Sequence, residues 1–263
     1  MKLYAIRDVS EMTGIKPVTL RAWQRRYGLI QPQRTETGHR MYSEENLERI
    51  RDIQGWLAKG VSIGKVKALL ENERQAESNI VSDELEETAV LLEALAALNG
   101  RKAESVMANV LKEYPFSIVL SQCVEPVQRA LASVKSPWRT LQNGLFQALL
   151  HRLLHAAIEA ENRAAGKGSV LFVSLDGPGS VGALFAAAEV AEKGLRVTFL
   201  DGVEEVSGLA TMTGIEEHYQ QIRLFANRTL PSRIAEHIQA LETALSVPVI
   251  CSGLIEHSGA QLE

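Results

Sequence analysis

The sequence predicts an α and α/β chain in three parts: an N-terminal winged helix-turn-helix, then a four-helix bundle and a small doubly wound parallel sheet. Three observations lead there. Residues 1–70 carry 13 Lys+Arg against 7 Asp+Glu, whereas the rest carries 15 against 25. Apolar residues recur at helical spacing as far as Gly166. From Gly168 onward, short uncharged strands alternate with helices, the pattern of a parallel sheet. At 263 residues and 46% hydrophobic, the chain is long enough for more than one core.

In the basic head, Ile6, Val9 and Met12 read as the buried face of a short helix that Gly14 ends. Pro17 suits a first helical turn, where no amide is lost, and a second helix runs to Tyr27 with Gly28 as its stop. Helix, glycine-bearing turn, helix is the outline of a helix-turn-helix. Leu20 faces the first helix and Trp23 packs beside it, leaving Lys16, Thr19, Arg21 and Arg25 on the outer side. Such a face can enter a major groove. Arg25 and Arg26 cannot share it, because neighbours on a helix are about 100° apart, and Arg25 is preferred.

The stretch from Leu20 to Ser43 holds five arginines and one acid. After Pro32, Gln33-Arg34-Thr35 and His39-Arg40-Met41-Tyr42 can pair as a hairpin around Glu36-Thr37-Gly38. Arginine on both arms makes this a wing for the sugar-phosphate backbone. Ser43 then caps a helix with Glu44 and Glu45 in its first turn and Leu47, Ile50, Ile53 and Leu57 on its apolar stripe, closed by Lys59-Gly60. Ser62 caps a last helix through Ile63, Val66, Leu69 and Leu70. The head spans 1–72 and is of a size that can fold alone. A polar linker, 73–82, follows.

The body opens with helices over 83–166. Leu85, Leu91, Leu92, Leu95 and Leu98 mark one that Asn99-Gly100 ends; a second covers about 102–113. Pro115 and Pro126 bracket or kink a third, and Pro137 opens a fourth running toward Gly166. Over 167–263, SVLFVSL, RVTFL, QIRLFA and VPVIC are the strands. Ligands of such sheets sit at the carboxyl ends of the strands. The pocket candidates are therefore Asp176, Gly177, Ser180, Gly182, Asp201, Ser252 and Gly253. The Asp-Gly-Pro-Gly-Ser loop can alternatively cradle a phosphate, though it is neither of the familiar glycine-loop motifs.

Cys123 and Cys251 lie far apart, which argues against a disulfide framework or thiolate zinc site. No apolar run resembles a signal peptide or reaches membrane-spanning length, so a cytoplasmic protein without a membrane partner is expected. No activated nucleophile, carboxylate dyad or metal cluster stands out, so an enzyme is not expected.

Leu20–Arg26, with Arg34-Thr35 and Gly38-His39-Arg40, resembles the MerR family of transcription regulators, and within it the branch whose effector half is a cobalamin-binding-type module. The wording of LRAWQRRYGL and of Lys59–Leu70 is similar to a member that regulates curli and biofilm genes. The resemblance implies a homodimer that binds and distorts double-stranded promoter DNA. It implies activation of transcription, with RNA polymerase engaged indirectly. Thr19, Arg21 and Trp23 fall on recognition-helix positions of the family, and Arg34, His39, Arg40 and Tyr42 on its wing. With Lys16, Arg25 and Thr35 these are the candidate DNA contacts. Trp23 also reads as core, and His39 as a turn residue.

The cobalamin fingerprint of that branch is D-x-H-x-x-G, whose histidine ligates cobalt. Here Asp176 matches, but Pro178 stands for the histidine and Val181 for the glycine, and no Glu-His pair occurs between Leu85 and Lys167. No cofactor is therefore expected, and the module is read as a sensor reused for a regulatory protein or another small ligand. The alternative is a repressor responsive to cobalamin or another small ligand. His151 and His155, one helical turn apart, lack a third metal ligand and read as solvated or capping.

Overall fold

The structure, a computed structural model, describes residues 2–36, 38–71 and 84–255. The expected linker and Thr37 of the wing turn lie outside the described residues. The chain divides into two compact units between Leu149 and Leu150.

The first unit begins with β1 (Leu3–Ala5), α1 (Ile6–Thr13) and α2 (Pro17–Ala22), which continues as a π-helical turn over Trp23–Tyr27. Gly14, at φ 73°, ends α1, and Gly28, at φ 61°, ends the second helix. These are left-handed conformations that suit glycine. β2 (Gln33–Arg34) and β3 (Arg40–Ser43) form the wing, with Arg34 opposite Arg40. β1 adds a third antiparallel strand on the other edge of β3; three residues are too few to show a period in sequence. Ser43 caps α3 (Glu44–Ala58): its Oγ accepts from Asn46 N, and Asn46 Oδ1 accepts from Ser43 N. Leu47, Ile50, Ile53 and Leu57 are all buried. α4 (Ile63–Glu71) follows, but Ser62 Oγ has no hydrogen-bond partner and does not cap it. Met12 is 46% exposed rather than part of the α1 core face.

α5 (Glu86–Ala96) stops short of Asn99, which instead caps α6 (Gly100–Glu113) by accepting from Lys102 N. Leu98 lies between them, exposed and at φ 49°, not on the α5 stripe. The third helix of the bundle is α7 (Phe116–Val119), a π-helical turn over Leu120–Val124, and α8 (Glu125–Ser133). Pro126 has no amide to give Gln122 O, and the widened turn accommodates its ring. That carbonyl accepts instead from Leu85 N at 2.9 Å and Thr88 Oγ1 at 3.2 Å. The kink expected at this proline thus ties α5 to the third helix. α9 (Trp138–Ala164) is the fourth, and the division between units falls within it.

In the second unit, β4 (Ser169–Ser174), β5 (Arg196–Leu200), β6 (Gln221–Ala226) and β7 (Val249–Gly253) form an all-parallel sheet of order β5-β4-β6-β7. α10 (Val181–Glu192) is the β4–β5 crossover and is buried along most of its length. On the opposite face, α11 (Ile215–His218) and α12 (Ser232–Ala244) help enclose a core of Leu171, Val173, Ile222, Leu224, Ile238 and Leu241. Asn162 of α9 covers part of the β5 edge, donating to Val197 O at 2.9 Å and accepting from Val197 N at 2.8 Å. Strand order reverses at β4, so the switch point is the loop after Ser174. Among the described residues no helix is long and apolar enough to cross a membrane.

Candidate functional site

The wing is a short ladder that carries one exposed arginine, Arg34, and one half-buried arginine, Arg40. Arg34 is exposed and directly opposite Arg40, so two like charges share a rung. That arrangement is unfavourable unless an anion lies across it. Arg40 Nε donates to Gln24 Oε1 at 2.7 Å, which fixes the wing against the second helix. His39 and Thr35 are exposed at the turn. Thr35 Oγ1 accepts from His39 N at 3.0 Å, so this hydroxyl shapes the turn. Tyr42 is not on the wing surface: it is fully buried, and its hydroxyl has no hydrogen-bond partner. Burial raises its pKa above the ordinary phenol value, and the charges of Arg40 and Arg21 oppose that rise. On a β-strand residues two apart face the same way, so Arg40 shares the face of Tyr42, the side on which it meets Gln24 of the second helix.

The second helix divides into two faces. Arg21 and Arg25 are exposed. Lys16, Thr19 and Trp23 are not on a free outer side; they are 4%, 1% and 0% exposed. Each is covered by the end of α6 and the residues after it. Thr19 Oγ1 donates to Lys112 O at 3.0 Å, and Trp23 Nε1 to Glu113 O at 2.8 Å. Lys16 Nζ sits 3.1 Å from the centroid of the Phe116 ring. Arg26 pairs with the Glu113 carboxylate and approaches Asn109 Oδ1 at 3.4 Å. Tyr27 OH donates to Glu113 Oε2. Burial, aided by the charge of Glu87, holds the Tyr27 phenol above its ordinary value and keeps it a donor. The head is also held by Gln122 Nε2, which donates to Leu57 O at 2.9 Å, and by Tyr114 OH, which accepts from Ile63 N at 3.2 Å. Sequence reading missed Gln24, Arg26, Tyr27 and Glu113 as partners. The one local signal was an acid in the last turn of α6, where the helix dipole favours a cation.

At the mouth of the sheet the loop after β4 is braced from within. Asp176 accepts from Ser180 Oγ and from Asn227 N, both at 2.8 Å. Asp201 Oδ2 accepts from Gly179 N at 2.8 Å, and Ser180 Oγ accepts from Ala183 N at 3.2 Å. The amides that a phosphate would need are thus engaged at these positions. Gly202 (φ 64°) faces Pro178 so closely that a Cβ there would lie 2.6 Å from its Cγ. Gly177 has open space beside it, and Gly182 lies near Phe225 and Asn227. Ser252 and Gly253 are the end of β7, aligned with Phe225 and Ala226; Ser252 Oγ donates to Leu224 O at 3.2 Å. They serve the edge of the sheet, while Asp176, Ser180 and Asp201 form one linked group. His151 Nε2 is 2.9 Å from Gly179 O, and His155 meets Phe199 edge-on, so the two imidazoles turn to different partners. Among the described residues no group of three or more His, Cys, Asp or Glu side chains is placed to hold a metal.

Comparisons with known proteins match the head and extend beyond it. The family of MerR HTH regulatory proteins matches residues 4–73. The HTH-type transcriptional regulator MlrA of Salmonella typhimurium (strain SL1344) is 32% identical over 171 residues, 65% of this chain and 69% of that protein. MlrA of Escherichia coli (strain K12) is 40% identical over 131 residues, covering 50% and 53%. The HTH-type transcriptional repressor CarA of Myxococcus xanthus is 26% identical over 254 residues, covering 95% and 86%. A winged basic head that matches the family from its first strand onward, and an MlrA likeness that continues past the head, lead to one conclusion: the chain belongs to the MerR family of helix-turn-helix transcriptional regulators and is similar to MlrA.

Proposed function

We propose that this regulator binds double-stranded promoter DNA as a homodimer through its basic head, distorts it, and activates genes of the curli and biofilm type, engaging RNA polymerase indirectly. The observation that carries the DNA-binding reading is the wing rung of Arg34 and Arg40, two guanidiniums opposite one another beside exposed Arg21 and Arg25. A backbone phosphate across that rung relieves the repulsion and releases counterions. Arg21, Arg25, Arg34, His39 and Arg40, with the Thr35 turn, form the DNA-facing set in this reading. Lys16, Thr19 and Trp23 join it only if the head leaves α6. A cytoplasmic location accompanies the role.

The effector module works without cobalamin in this reading, and the residues at the mouth do not fit that group. Pro178 offers no ligating atom where the fingerprint needs one, and it is packed against Gly202. The linked group of Asp176, Ser180 and Asp201, and the adjoining surface, are left for a regulatory protein or another small ligand. A ligand-responsive repressor is the second reading, favoured because the match to CarA, named a repressor, runs through 95% of this chain. Both readings are tested by binding to promoter fragments followed by transcription in vitro: stimulation supports the first and inhibition the second. Failure to bind any duplex at low salt removes both.

A further inference from the structure

Glu113 is the least expected charge in the first unit. It is 4% exposed and sits in the last turn of α6, where the helix dipole repels a carboxylate. Burying such a group is costly unless it is paired. Its partners come from the second helix of the head: Arg26 pairs with the carboxylate, and Tyr27 OH donates to Oε2. Beside it, the carbonyls of Lys112 and Glu113 belong to the helix end that lacks intrahelical donors, and Thr19 and Trp23 supply them. Lys16 is turned onto Phe116.

This set of acceptors resembles what a DNA strand presents: an anion for a guanidinium and oxygens for a hydroxyl and an amine-type donor. The residues it takes up include three of the recognition-helix candidates, whereas Arg21, Arg25, Arg34 and His39 stay exposed. We propose that the carboxyl end of α6 is an intramolecular competitor of DNA for the recognition helix, and that the head reaches the groove only when this seat lets it go. The inference rests on the DNA-binding reading above. Docked, the head retains wing contacts to phosphate. Released, it adds Lys16, Thr19 and Trp23, while Arg26 and Glu113 gain water. Affinity for DNA then scales with the fraction of released heads. Any effector that holds α6 or separates it from the head moves that fraction.

The test uses the full chain and a fluorescein-labelled 30-base-pair duplex of mixed sequence at low salt. Glu113→Gln removes the ion pair and is expected to tighten binding about tenfold or more, since a hydrogen bond to a buried charge contributes about one to two decades of equilibrium constant. Tyr27→Phe keeps the ring, loses one donor to Glu113, and is expected to tighten binding about threefold. Glu125→Gln is the control for charge alone: Glu125 is exposed on α8, and this change is expected to leave affinity within about twofold. Hydrogen exchange at 109–116 should quicken in Glu113→Gln and Tyr27→Phe but not in the control. If Glu113→Gln and Tyr27→Phe bind as the unaltered chain does, or Glu125→Gln tightens binding equally, the competitor is refuted while the DNA reading stands. If no protein in the series binds the duplex, both fall.

Discussion

Replacing Arg40 by alanine separates DNA binding from folding. Two folding effects oppose one another. The bond from Arg40 Nε to Gln24 is lost, at about 0.5–1.5 kcal/mol for a half-exposed hydrogen bond. The repulsion from Arg34 across the rung is relieved, which returns about 0.2–1 kcal/mol. The difference is within about 1 kcal/mol, and the melting temperature should move by no more than a few degrees. DNA binding has no such compensation. One phosphate contact fewer lowers the slope of log affinity against log salt by about 0.9. Raising salt fourfold therefore shrinks the defect about 3.5-fold, so a loss of about tenfold at 50 mM becomes about threefold at 200 mM. Because the contact is to backbone, promoter and random duplexes should lose the same factor. Fluorescence anisotropy over that salt range, alongside thermal melting, reads all of this. Unchanged affinity and slope with a folded protein would refute the wing assignment, and a loss confined to one sequence would mean that Arg40 reads bases.

Three further outcomes are expected. Gly253→Ala should destabilise the second unit by about 3 kcal/mol, because a Cβ there lies 2.4 Å from Ala226 O at φ 77°, combining left-handed strain with overpacking; a fall in melting temperature of roughly 10 °C, by calorimetry, checks it. Pro178→His should not confer cobalamin binding at micromolar concentration, since Val181 and the brace from Asp201 to Gly179 remain; visible absorbance after gel filtration reads the result. Glu205 is held down to about 2, first by the Ser207 amide and then by His237 and the Val206 amide. A depressed carboxyl contributes its stability above its unfolded value near 4.3 and loses it as pH falls toward 2. Glu205→Gln should therefore flatten the acid limb of hydrogen exchange at 206–211.

Much of the fold was legible because it is written in local signals. The α3 stripe and its Ser43 cap, the glycines after α1 and after the second helix, and the four apolar strands each depend on neighbours within a few residues. Helix ends were less legible where a polar residue has two uses: Asn99 reads as the end of α5 and serves as the start of α6. Leu98 and Met12 fit an apolar period yet lie outside the core, since periodicity records spacing and not what packs against it. Of the candidate site, the outward cations were legible from charge and turn residues. Trp23 read as core and is buried, but the covering of Lys16 and Thr19 was not legible, because the groups responsible, at Lys112 and Phe116, are more than 90 residues away and nothing periodic connects them. Pro126 was recognised as a break, but the partners of the freed Gln122 carbonyl lie on α5 and only the fold reveals them.

The most direct measurement is the affinity of the unaltered full chain for a promoter-length duplex, followed from low to physiological salt. If Arg21, Arg25, Arg34 and Arg40 each neutralise one phosphate, the slope is about −3 to −4 for each head. A steep linear decline of that order is the predicted result. An affinity that is absent at low salt, or that does not change with salt, would contradict the claim that this basic head is built to hold DNA.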